Sequence, residues 1–210
     1  MNFKTKKWLA IASLHLAVFL LSFSTTYAYR TSGYEWSDAS ASYYIQSAFA
    51  SSFRTAMRTA DSTWDAAGSV FRFNYAGTTS RNPNVWSASY TNDGYNDIGY
   101  YYNSTSTAVA TTQVWATGTT IEEVDVTFNT YYGLTTVGAS GSYDVQSMMT
   151  HEFGHWLRLL DYNITATGSP SYCNSSSEAT MCGTPMSVGD TNMRSLRTDD
   201  KNGIKAIYGT

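Results

Sequence analysis

From Ser40 to Gly68, apolar residues recur at three- and four-residue steps: Tyr44, Ala48, Phe49, Phe53, Ala56, Met57, Ala60 and Trp64. That spacing predicts a long first helix with one stripe turned to a core, stopped by Gly68. The period then shortens to two. Val70, Phe71, Phe73 and Tyr75 are burial candidates of a strand from Val70 to Tyr75. A loop at Arg81-Asn82-Pro83-Asn84 leads to a second strand, Val85 to Tyr90. Tyr100 to Tyr102 and Ala108 to Trp115 are further strands, the second rich in Thr and Val. The strongest alternation runs from Ile121 to Thr130, where Val124, Val126 and Phe128 interleave with Asp125, Thr127 and Asn129.

A Gly- and Thr-rich loop, Gly133 to Gly141, precedes a second helix that Ser142 or Asp144 can cap. Val145, Met148, Met149 and Trp156 give that helix its apolar side. Beyond Asp161 the chain turns irregular until Thr198 caps a last helix through Tyr208, with Asp199 and Asp200 suited to its first turn. No internal repeat or linker divides the chain.

The N-terminus changes this picture. Lys4, Lys6 and Lys7 precede an apolar run from Trp8 to Phe23, and Thr26-Tyr27-Ala28 offers small residues for cleavage. Residues 1–28 are therefore expected to be a secretory signal, and the run is too short for a spanning anchor. Losing the three lysines would take the formal charge from −3 to −6. No basic stripe is left for nucleic acid, and no membrane segment remains. In a secreted chain the two cysteines, Cys173 and Cys182, are most simply a disulfide; a thiolate zinc pair lacks any CxxC spacing.

The candidate chemistry lies in the second helix. His151 and His155 are four residues apart, which puts both imidazoles on one helical face, and two such rings make half of a tetrahedral zinc site. Glu152 stands beside the first ring, where its carboxylate can take a proton from water. His15 would leave with the signal, so these would be the only histidines of the mature chain. The turn Asn92-Asp93-Gly94-Tyr95-Asn96-Asp97 has oxygens for calcium but matches no known calcium loop, and a plain Asp-Gly turn is favoured. Calcium stays possible without support.

Three stretches together carry a resemblance. They are His151-Glu-Phe-Gly-His155-Trp-Leu-Arg-Leu-Leu-Asp161, then Glu178-Ala-Thr-Met181, then Leu196 through Gly209. With these the chain resembles the metzincin zinc endopeptidases, particularly the small secreted matrixin-like and snapalysin-like members. The resemblance implies a metzincin-like α/β (α+β) fold: a twisted, mostly parallel sheet and two long helices above a cleft, with the Met-turn and last helix below. It implies one catalytic domain over 29–210, with an upper part of about 29–157 and a lower part of about 158–210. His151, His155 and Asp161 would hold one zinc ion, and Glu152 would be the general base. Met181 would sit beneath the metal without binding it, and Asp200 would brace the Met-turn. The substrate would be an extended peptide added to a sheet edge near Ala108 to Val114, and the secreted enzyme would act as a monomer.

The chain departs from the family at three places. Position 161 is Asp where matrixins have a third His. Arg158 stands where the family has Gly, at a position expected to need positive φ, which strains a side chain by about 1–2 kcal/mol. Gly183 stands where some relatives carry a Tyr. A thermolysin-like site would instead use Glu178 as third ligand. A different class of alternative is a non-catalytic secreted binding protein, its site damaged at Arg158, gripping a polymer with its 17 Tyr and 6 Trp.

Overall fold

Ser40–Gln46 is a strand, not the opening of a helix. Ala41, Tyr43 and Ile45 are buried at every second position, and this alternation overrides the three- and four-residue steps that run through it. The helix begins only at Ser51. The structure, a computed structural model, describes residues 29–161, 180–181 and 186–210. The expected leader 1–28, Cys173, Cys182, Glu178 and Gly183 lie outside the described residues.

The elements in order are β1 (Arg30–Thr31), β2 (Ser40–Gln46), α1 (Ser51–Asp65), β3 (Arg72–Thr79), β4 (Asp97–Tyr101), β5 (Ala110–Thr117), β6 (Thr120–Asn129), β7 (Leu134–Thr135), β8 (Tyr143–Asp144), α2 (Val145–Trp156), β9 (Leu159–Leu160) and α3 (Thr198–Tyr208). Five strands form one sheet in the order β3-β2-β4-β6-β5. All neighbours are parallel except β5, which runs antiparallel to β6 and lies at the sheet's edge. The architecture is mixed α/β around a mostly parallel sheet. Among the described residues no helix is long and apolar enough to cross a membrane.

Both main helices lie on the sheet face that Tyr43 presents. Its ring meets Phe153 of α2 edge-on with centroids 5.3 Å apart, and its hydroxyl donates to Asp61 of α1. Phe73 and Trp156 extend this aromatic cluster. Trp64 ties the helices together, its indole N–H donating to the Thr150 carbonyl at 2.7 Å. A buried Trp keeps its polar handle satisfied in this way.

Three further expectations need correction. Val85 to Tyr90 forms no strand; it is part of an irregular cover over the other face of β6. Its polar anchors lie on β6 itself: Tyr90 Oη donates to Asp125 at 2.6 Å, and Thr127 Oγ1 donates to the Pro83 carbonyl at 2.6 Å. Covered on both faces, β6 buries Asp125, Thr127 and Asn129 as well as its valines. Val70 is 48% exposed, because β3 starts at Arg72 and its core positions follow Phe71 and Phe73. Thr198 is the first residue of α3 rather than its cap; Asp200 reaches back to accept the Arg197 N–H at 2.8 Å.

The Asp-Gly turn is held by protein donors. Glu123 accepts the N–H groups of Asp93 and Gly94, while Asp97 is forked by Arg81. Asn96 links two strands, donating to the Ser42 carbonyl at 2.9 Å and accepting the Val124 N–H at 2.7 Å.

Candidate metal centre

The site starts from the capping of α2. Asp144 accepts the Ser147 N–H at 2.8 Å, closing the helix N-terminus. Arg194, from the chain after Met181, forks onto the same carboxylate and onto the Thr136 carbonyl. Burial alone would raise the Asp144 pKa, but the Arg194 guanidinium outweighs it and holds the carboxyl below its usual range.

From that start the helix carries His151 and His155 one turn apart, with ring centroids 4.9 Å from each other. Each Nδ1 faces a backbone carbonyl: Thr180 at 2.7 Å for His151, and Leu159 at 2.9 Å for His155. A carbonyl can only accept, so each Nδ1 carries a hydrogen, and in its neutral form each ring has its free lone pair on Nε2. Both Nε2 atoms face Asp161 Oδ1, at 3.1 Å from His151 and 3.6 Å from His155. That oxygen is buried and accepts no hydrogen bond among the described residues.

Three lone-pair donors facing one another call for a cation. Atoms about 2.0–2.1 Å from a tetrahedral zinc lie about 3.4 Å apart, and the two observed separations straddle that value. The donors lie within 4.8 Å of one another and are the only such group among the described residues. Two His and a carboxylate form a known catalytic zinc set. The electrostatics agree in sign. Burial opposes charge on His151, yet the Asp161 carboxylate lifts its pKa to about 9; His151 and His155 in turn hold Asp161 low despite its burial. A proton would satisfy one ring; a divalent cation satisfies all three groups.

Asp161 is delivered by a turn in which Arg158 takes φ +77. This is the left-handed conformation that favours Gly, held here by a residue with a full side chain. Met181 packs under the helix at Gly154, where an added Cβ would overlap the methionine sulfur. Asp200 accepts the N–H of Thr180 at 2.9 Å and of Met181 at 3.2 Å. It thereby positions the Thr180 carbonyl that His151 uses.

Glu152 is buried beside these donors, and Thr112 of β5 donates to its Oε2 at 2.5 Å. No sequence motif marks Thr112; its place on the Thr- and Val-rich edge strand is the one signal that points to it. The carbonyls of Thr180 and Leu159 leave no signal, since backbone groups do not appear in residue type. A cavity of about 420 Å³ runs between β5 and the metal donors, through Ala110, Thr112 and Val114. A second, of about 320 Å³, opens beside it against Val109, Met148, Met186 and Met193.

No family model matches the chain, and no curated protein does. Among solved structures it is similar to High choriolytic enzyme 1 (HCE-1), a hatching enzyme zinc-protease from Oryzias latipes (Medaka fish). The identity is 12%, the TM-score 0.42, and the overlap covers 83% of this chain and 92% of that chain. An overlap this loose transfers no residue roles, and the chemistry rests on the donors described above.

Proposed function

We propose that the chain is a secreted zinc endopeptidase, with residues 29–210 as one catalytic domain behind a signal at 1–28. The observation that carries this is the convergence of His151 Nε2, His155 Nε2 and Asp161 Oδ1 in a cleft beside the Glu152 carboxylate. Zinc bound there would supply Lewis acidity toward the scissile carbonyl and the attacking water. Glu152 takes the water's proton and passes it to the leaving nitrogen. Thr112 holds one oxygen of that carboxylate, fixing the plane in which the other works. An extended peptide aligns along the edge of β5 that no described strand pairs, by backbone hydrogen bonds, which brings its carbonyl to the donors. Met181 and Asp200 are structural supports, and a Cys173–Cys182 disulfide steadies the loop between.

The test is metal analysis and casein hydrolysis on the purified protein. About one zinc per chain is expected, with proteolysis lost to a chelator and restored by zinc. Glu152→Gln should keep the zinc and lose about 10²–10⁴-fold in kcat/KM. A folded chain that takes up no zinc overturns the proposal, as does Glu152→Gln with more than a few per cent of wild-type activity.

A further inference from the structure

The turn between the second and third metal donors bonds back to the end of its own helix at a few points: the Leu157 N–H to the Phe153 and Gly154 carbonyls, the Arg158 N–H to the His155 carbonyl at 3.1 Å, and the Leu159 carbonyl to the His155 ring. Its remaining partners among the described residues come from the N-terminal segment. Arg30 and Thr31 pair antiparallel with Leu160 and Leu159. The Ser32 N–H donates to the Arg158 carbonyl at 2.9 Å, and the Glu35 carboxylate meets the Arg158 guanidinium at 3.3 Å. Trp36 donates its indole N–H to the Trp156 carbonyl at 2.7 Å, across 120 residues of sequence.

The segment is itself anchored at several points. Glu35 bonds the sheet through the Thr119 carbonyl and the Ile121 N–H, both at 2.9 Å. The Trp36 N–H donates to Tyr208 Oη on α3 at 3.3 Å. Tyr29 and Leu159 crowd Gly203 of α3 together, leaving no room there for a Cβ. The segment therefore transmits the position of sheet and last helix to the turn.

This frame bears on the metal through two of its three donors. The Leu159 carbonyl that orients His155 lies on the paired strand, and Asp161 follows one residue beyond that strand. Arg158, held in a conformation unfavourable to a side chain, is gripped at both its carbonyl and its guanidinium. We propose that Tyr29–Trp36 is a positioning element of the metal centre: paired with the 158–160 turn, it sets the His155 ring and the Asp161 carboxylate in coordinating geometry, so that zinc affinity depends on it. This rests on the proposed zinc site, and extends it to residues that touch neither metal nor substrate.

The test uses the full chain and reads zinc affinity by chelator competition, the absorption of the cobalt-substituted protein, and the melting temperature of the metal-free form. Ser32→Pro removes the N–H that grips Arg158; Ser32→Ala keeps it. Outer partners of metal ligands are worth about 10–100-fold in affinity, and a loss of that size is expected for Ser32→Pro, with an altered cobalt spectrum. Ser32→Ala should bind as the wild type does. A merely structural strap would lower the melting temperature of Ser32→Pro and leave affinity and spectrum alone, and that result overturns the proposal. Should Ser32→Pro not fold, Glu35→Gln decides: about two- to fivefold weaker zinc binding supports the frame, and wild-type binding overturns it. A wild-type chain that takes up no zinc overturns the proposed function, and the inference falls with it. A zinc-binding wild type beside an indifferent Ser32→Pro overturns the inference alone.

Discussion

The two halves of the proposed metal centre are built by different means. His151, Glu152 and His155 are placed by one helix, whose 3.6-residue turn sets their spacing once its start is capped at Asp144. Asp161 and Met181 belong to no helix. One is held by a strap from residues 30–36, and the other by the carboxylate of Asp200. The first half depends on local geometry, the second on contacts between distant parts of the chain. Substitutions should therefore act differently on the two.

The largest effect is expected at the donor the turn delivers. Asp161→Ala leaves two imidazoles without their carboxylate and should weaken zinc by more than about 100-fold, beyond what outer partners contribute. Zinc at wild-type affinity in that variant would place the third ligand elsewhere. Next comes Asp200→Ala, which orphans the buried N–H groups of Thr180 and Met181 and the half-buried one of Arg197. A loss of at least about 3 kcal/mol in urea unfolding is expected. A loss under about 1 kcal/mol would mean that the Met181 turn is held by something else.

Arg158→Gly should do far less. Relief of the left-handed strain gains about 1–2 kcal/mol, and loss of the half-exposed Glu35 pair gives back up to about 1 kcal/mol. The net expectation is a stabilisation of between zero and about 2 kcal/mol. A clear destabilisation in urea unfolding would mean that the ion pair outweighs the backbone strain.

The last effect is one of pH and belongs to the sheet. Burial pushes the Asp125 carboxyl up to about 8, against the hydrogen bonds from Tyr90 and the Asp97 N–H that pull it down. Its folded pKa thus lies above the unfolded value, so the fold holds a proton that the unfolded chain has lost. The associated stability is fully present below pH ~4 and declines as pH rises toward 8. Asp125→Asn has no such proton to lose, and chemical denaturation across that range should show a flatter slope. An unchanged slope would assign the decline to the other buried carboxyls.

Legibility in the sequence follows the same division. The strand Ile121 to Thr130 and the helix of His151 can be read, because each repeats at its own period over many residues. Ser40–Gln46 looks helical in sequence because Tyr44, Ala48 and Phe49 add helical steps across the strand's end. Val85 to Tyr90 looks like a strand, yet it meets β6 through the Val85 N–H on Thr127 and the Tyr90 hydroxyl on Asp125 and not through a backbone ladder. At the site, the donors stand in the sequence as residue types at set spacings. What holds them does not, since the Ser32 N–H, the Leu159 carbonyl and the Thr180 carbonyl are backbone groups common to nearly every residue. The need for positive φ at Arg158 is visible only through the resemblance, and the contacts that stabilise it lie over a hundred residues earlier.

The contact between Gly154 and Met181 also limits how this sequence can drift. Any side chain at 154 would occupy the space of the methionine sulfur, so that position is closed while Met181 stands. Shortening Met181 first would open a void beneath the metal helix, with nothing yet at 154 to fill it. Each single step is therefore worse than either end of the path, and the two residues can change only as a coupled pair. Lineages descending from this chain would be expected to keep both or to exchange both. The glycine of the metal helix is thus preserved by a partner 27 positions later, and not by helix geometry alone.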